Sequence, residues 1–89
     1  MIVYRYELPD GGGPFFTKEG VCRINPSIVF NDNTLDAAIS IEKLKEWFNE
    51  RNIILNDNFK IIKYDGKILY ENKDIVTIKK NTAIRIGEI

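Results

Sequence analysis

Across 89 residues the chain has no histidine, one cysteine and thirteen carboxylates. Without imidazole it lacks the commonest general acid–base, the Ser–His and Cys–His nucleophile pairs, and the commonest metal ligand. Cys22 alone does not make a zinc site, so neither a metal nor a cofactor is expected. Carboxylates occur in two groupings: Asp32 and Asp36, four apart, and Glu42, Glu46 and Glu50, at helical spacing. Paired carboxylates do acid–base work when burial or mutual repulsion separates their pKa values. The glutamates lie opposite an apolar stripe of Ile41, Leu44 and Phe48, so they are expected to face water.

The remaining unusual chemistry is Pro9-Asp10-Gly11-Gly12-Gly13-Pro14-Phe15-Phe16. Consecutive glycines permit backbone angles that other residues refuse, or a close approach to the backbone. A phosphate cradle of the P-loop kind needs a Gly-Lys-Ser/Thr ending, and a dinucleotide site needs G-x-G-x-x-G. Neither motif is present, and Pro14 has no N–H to donate. Adjacent aromatics on an extended chain point to opposite sides, so one of Phe15 and Phe16 is expected to be partly exposed. An exposed aromatic beside a glycine turn is a typical interface anchor. Asp10, Gly11, Gly12, Gly13, Phe15 and Phe16 are therefore the candidate protein-contact residues, with Lys63 and Lys67 assisting by charge. The alternative for the other aromatics, Tyr4, Tyr6, Tyr64, Tyr70 and Trp47, is core packing or a stacking platform for bases.

The elements that hold these residues follow from periodicity. Ile2, Tyr4 and Tyr6 alternate with Val3, Arg5 and Glu7, which predicts a half-buried strand ended by Pro9-Asp10-Gly11. Phe15 to Thr17 and Val21 to Ile24 read as short extended runs, and Asn31-Asp32-Asn33 as a loop. Thr34 to Ala38 reads as a turn. Ser40 caps a helix whose apolar face is Ile41, Leu44, Trp47 and Phe48, with Glu42 in the first turn and Arg51 and Asn52 at its close. Phe59 to Tyr64 and Lys67 to Glu71 flank Asp65-Gly66, a strong two-residue hairpin signal. Ile75 to Lys79 and Ala83 to Ile86 complete a four-strand meander. The expected fold is one α+β domain over residues 1–89. It has a small antiparallel sheet, the C-terminal meander plus the N-terminal strand, packed on one main helix.

Lysine plus arginine equals aspartate plus glutamate, so the formal charge is zero. A nucleic-acid binder normally carries a basic surplus. Here the surplus is local: residues 59–89 hold seven cations against four anions. Nucleic-acid contact through Lys60, Lys63, Lys67 and Lys79 is thus an alternative reading. One cysteine, an opening Met-Ile-Val-Tyr-Arg-Tyr without a basic-then-apolar leader, and no long apolar run together point to a cytoplasmic protein without membrane contact.

Two motifs carry a family resemblance. Tyr4-Arg5-Tyr6-Glu7 followed by Gly11-Gly12-Gly13-Pro14-Phe15 resembles the start of small phage and prophage proteins. Leu44-Lys45-Glu46-Trp47-Phe48 and then Phe59-Lys60-Ile61-Ile62-Lys63-Tyr64 are similar to a leucine-x-x-tryptophan-phenylalanine helix and a tyrosine-ended strand in such proteins. The resemblance implies a mobile-element protein that binds a host or defence protein without catalysis, as anti-CRISPR inhibitors do. A second resemblance is to ADP-ribosyltransferase-like folds, in which an early-strand arginine contacts NAD; Tyr4-Arg5 is the counterpart, with Glu7 nearby. The Ser-Thr-Ser-type strand and Gln/Glu-x-Glu pair of that family are missing here, so this likeness implies a degenerate NAD-binding relative.

Overall fold

The computed structural model describes residues 1–29 and 33–89. Among the described residues six strands and one α-helix follow in the order β1 (Ile2–Glu7), β2 (Thr34–Ala37), α1 (Ile41–Glu50), β3 (Lys60–Asp65), β4 (Ile68–Glu71), β5 (Val76–Lys79) and β6 (Ile84–Glu88). A 3₁₀ turn, Lys80–Thr82, joins β5 to β6. The strands form two antiparallel sheets, ordered β1-β3-β6 and β2-β5-β4. The fold is α+β, as the periodicities predict.

The alternation of β1 decides the layering. Its register with β3 runs from Ile2 opposite Asp65 to Glu7 opposite Lys60. Partners in an antiparallel pair share a face, so Tyr4, Tyr6, Ile61 and Lys63 point one way. Val3, Arg5, Glu7, Ile62 and Tyr64 point the other. Tyr4, Tyr6 and Ile61 pack with Leu44 and Phe48 of the helix. Val3, Ile62 and Tyr64 pack with Ala37, Val76 and Ile78 of the second sheet. The β1-β3-β6 sheet is therefore sandwiched, with α1 on one face and β2-β5-β4 on the other. This is why Ile61 and Ile62, successive residues on opposite faces of β3, both find apolar cover.

The helix begins as its sequence predicts. Ser40 Oγ accepts from the Lys43 N–H at 3.1 Å, and Glu42 stands in the first turn. At the other end Asn52 takes φ +54°, a left-handed stop. The Arg51 guanidinium lies 4.0 Å from the centre of the Trp47 ring. Glu42, Glu46 and Glu50 are exposed, as expected.

Two expectations are corrected. Asp65-Gly66 does not close a hairpin: β3 pairs with β1 and β6, while β4 pairs with β5. Gly66 is needed for space instead of a positive φ. A Cβ there would lie 2.8 Å from Ile78 Cδ1, at the point where the chain crosses from one sheet to the other. The real hairpin is β4–β5, whose turn is held by Asn72 Oδ1 accepting from the N–H groups of Asp74 (2.9 Å) and Ile75 (2.7 Å). The predicted four-strand meander is thus split between the two sheets. Thr34 to Ala38, read as a turn, holds strand β2 (Thr34–Ala37), paired with β5 from Thr34 opposite Lys79 to Ala37 opposite Val76. Its polar Thr34 and Asp36 mask a two-residue alternation with Leu35 and Ala37. Asp32, Phe30 and Asn31 lie outside the described residues, and with them the Asp32/Asp36 pairing.

Candidate functional site

Each glycine of the triple run has its own reason. Gly11 takes φ +93°, which an L side chain rarely adopts. At Gly12 a Cβ would stand 2.5 Å from Arg23 Nη2, and at Gly13 one would stand 2.6 Å from Arg5 Nη2. The run thus admits two guanidinium groups against its backbone. It is also tied down. The Leu8 N–H donates to the Gly12 carbonyl, the Gly11 N–H to the Leu8 carbonyl, and the Gly13 N–H to the Phe16 carbonyl, all within 2.8–2.9 Å. The Gly12 N–H donates to Asp10 Oδ1 at 2.8 Å, and Arg23 Nε donates to the Gly13 carbonyl at 2.7 Å. The segment is a fixed turn in place of a loose tip.

That turn delivers Phe15 to the helix. Phe15 stacks parallel on Phe48 at 6.0 Å and meets Trp47 edge-on at 6.0 Å. Tyr6 meets Phe48 edge-on at 5.0 Å. Phe15, Phe16 and Trp47 are half-buried, Asp10 and Gly11 exposed, and Gly12 and Gly13 buried. Asp10, Gly11, Phe15 and Phe16 are therefore the accessible part of the candidate contact segment. The structure does not bring Lys63 and Lys67 to it. Lys63 sits half-buried beside Tyr4, and Lys67 follows the Asp65 end of β3. The glycine turn follows the Glu7 end of β1, about 10 Å from Lys63 and about 20 Å from Lys67 by strand length. Of the other aromatics, Tyr70 is 72% exposed on β4, whereas Tyr4 and Tyr6 belong to the helix-side core.

Beneath the turn lies a charged cluster that the alternation pattern did not reveal. Glu7 is 2% exposed. Tyr64 donates its hydroxyl to Glu7 Oε2. Arg5 Nη1 stands 3.5 Å from Oε2, and Arg85 Nε stands 3.5 Å from Oε1. Burial first, and then the bond to the Glu7 carboxylate, push the Tyr64 hydroxyl up to about 12. Burial also raises the Tyr6 hydroxyl. Arg5 and Glu7 read in sequence as the wet face of a half-buried strand. Glu7 is dry because a second sheet covers that face, and Arg5 keeps only the 15% exposure it has toward the groove. The only signal in the sequence was their common parity with Val3.

A groove of about 560 Å³ opens between these parts. Its walls are the glycine–aromatic segment, Leu44, Trp47 and Phe48 of α1, the whole of β2, and Arg5, Tyr6 and Tyr64. Among the described residues β1 and the segment of β2 are joined by backbone hydrogen bonds only at Tyr4 and Ala38, just past the end of β2, which exchange two of 2.8 Å. Tyr6 and Asp36, one step further along, are not paired across the groove. The volume lies within the range of ligand sites. Among the described residues no group of three or more Cys, Asp or Glu side chains is placed to hold a metal ion, and no helix is long and apolar enough to cross a membrane.

No family model matches the chain, and neither a curated protein nor a solved structure matches it.

Proposed function

We propose that the chain is a non-catalytic protein-binding module whose working surface is the accessible rim of Asp10, Gly11, Phe15 and Phe16 together with the groove behind it. The observation that carries this reading is the fixed glycine turn, which presents half-buried Phe15 against Trp47 and half-buried Phe16 on the wall of an open groove. A pre-organised aromatic anchor binds without the entropic cost of ordering a loop. The buried ionisable cluster supports the non-catalytic half of the reading: both oxygens of Glu7 are engaged by Tyr64, Arg5 and Arg85. With the resemblance of the Tyr4–Glu7 and Gly11–Phe15 motifs, the setting proposed is a phage or mobile element, and the partner a host or defence protein in the cytoplasm.

The test is affinity capture from a host lysate with the wild-type chain, a Phe15→Ala/Phe16→Ala variant and a Lys67→Ala control. A partner that is retained by wild type and control and lost by the double variant is the expected result. The double variant must keep its far-UV spectrum and a cooperative melt. Equal capture by all three folded proteins would refute the assignment of the surface.

A further inference from the structure

The groove has three properties that together specify what enters it. The first is an open strand edge. Flanking β2, the Asn33 carbonyl accepts from the Lys80 N–H at 2.8 Å, whereas Ala38 turns its backbone groups to Tyr4. Antiparallel pairing alternates sides along a strand. Leu35 and Ala37 therefore spend their backbone groups on β5, and those of Thr34 and Asp36 face the groove. Among the described residues nothing bonds them there. The backbone of Tyr6, on the same parity as Tyr4, faces the groove from the opposite wall.

The second property is a guanidinium with spare donors. The Arg5 side chain is 15% exposed and lines the groove. Its single polar contact among the described residues is the 3.5 Å pairing with Glu7. Among the described residues no fully buried side-chain nitrogen lacks a partner, so the Arg5 nitrogens that make no hydrogen bond keep some exposure, and Arg5 lines the groove. The third is charge. Of the charged side chains on the groove walls, Arg5, Lys18 and Lys80 exceed Asp10 and Asp36 by one positive charge. One net positive charge matches a monoanion better than a phosphate dianion, and a fork of N–H donors fits a carboxylate.

We infer that the groove receives the extended carboxyl-terminal end of a partner polypeptide. The main chain adds as a strand to the Thr34 and Asp36 edge of β2, an apolar side chain lies on Phe15 and Trp47, and the terminal carboxylate pairs with Arg5. Strand addition supplies affinity without sequence demand, and the pocket and the guanidinium supply selectivity. A free organic acid would satisfy Arg5 but leave the strand edge unused. An internal segment would use the edge but bring no carboxylate. This inference rests on the protein-binding reading above.

The experiment is a titration of the isotope-labelled full chain, followed by amide shifts and by fluorescence of Trp47, the sole tryptophan. Three probes are compared: acetyl-Thr-Val-Thr-Phe with a free carboxylate, the same peptide as its terminal amide, and 3-phenylpropanoate. The expected result is that the acid peptide binds about tenfold or more tighter than each of the others, as one charge-assisted contact and one added strand require. Shifts should concentrate at Arg5, Tyr6, Thr34, Asp36 and the Trp47 indole. Arg5→Gln should bring acid and amide peptides to equal affinity. Should that variant fail to fold, the wild-type shift map and the acid-to-amide ratio still decide. Equal binding of acid and amide, equal binding of 3-phenylpropanoate, shifts away from the groove, or no binding at millimolar probe would each overturn the inference. The titration needs no native partner, so its failure and a failure of lysate capture are read separately.

Discussion

Tyr64→Phe removes one oxygen from the interior and nothing else. The ring stays, so the apolar contacts of β3 with Val3, Val76 and Ile78 are kept. What is lost is the hydroxyl that Glu7 Oε2 accepts from, in a position where Glu7 is 2% exposed and cannot recruit water. Oε2 then has only Arg5 Nη1, at 3.5 Å, beyond good hydrogen-bond geometry. A buried acceptor stripped of its donor costs about 1–3 kcal/mol. For a domain of this size that corresponds to a fall in melting temperature of about 4–20 °C. The pH dependence gives a second readout. Tyr64 titrates at about 12 when folded, against 10.0 when free. Below pH 10 both states carry the proton and the stabilisation is complete. Between pH 10 and 12 the unfolded chain releases its proton and the folded chain keeps it, so stability falls as pH rises. The loss attributable to Tyr64 reaches about 3 kcal/mol. Urea unfolding of wild type and variant across pH 7 to 12 separates this from lysine titration, because the variant lacks only the Tyr64 contribution. A penalty under about 0.5 kcal/mol at pH 7 would refute the account of a dry, donor-dependent carboxylate. So would identical alkaline slopes in the two proteins.

Gly13→Ala places a methyl 2.6 Å from Arg5 Nη2 and should cost about 1–3 kcal/mol in chemical denaturation by pushing the guanidinium off Glu7. Gly11→Ala meets no atom and should cost about 1–2 kcal/mol, from its positive φ alone. Gly66→Ala drives a methyl to 2.8 Å from the fully buried Ile78; a loss of about 1–3 kcal/mol is expected, and a neutral result would mean the crossing between sheets is looser than described. Ser40→Ala removes the cap on the Lys43 N–H and should lower stability by about 1 kcal/mol, measured as a shift in the thermal midpoint.

How much of this was legible depended on whether an element declared itself locally. The helix did, because Ser40, Glu42 and the Leu44/Phe48 spacing all act within a few residues. So did β1, through strict alternation. The sheet arrangement did not. Asp65-Gly66 has the local chemistry of a tight hairpin, yet β3 finds better cover between β1 and β6 than beside β4. Burial of Ile61 on one face and Ile62 on the other outweighs the turn preference. For the candidate site, the sequence marked the glycine–aromatic segment correctly as unusual. It did not disclose that Arg5 and Arg23 are what the glycines make room for, since each contact joins residues several positions apart on different elements. Glu7 looked wet because nothing nearby in sequence announces the sheet that roofs it. The groove was equally hidden, as it lies between two distant segments joined by backbone hydrogen bonds at one bridge.

The position of β3 between β1 and β6 has a kinetic consequence. Its two neighbours are drawn from near the start of these 89 residues and from near their end, so the central sheet closes only when almost all of the chain is free to move. Contacts of such long sequence separation slow folding toward the millisecond-to-second range. During synthesis β1 waits for β3 until the helix has emerged, and β6 joins β3 last. The Glu7–Arg85 pairing then becomes a reporter of completion, forming at the last closure and absent from every fragment that ends before Arg85.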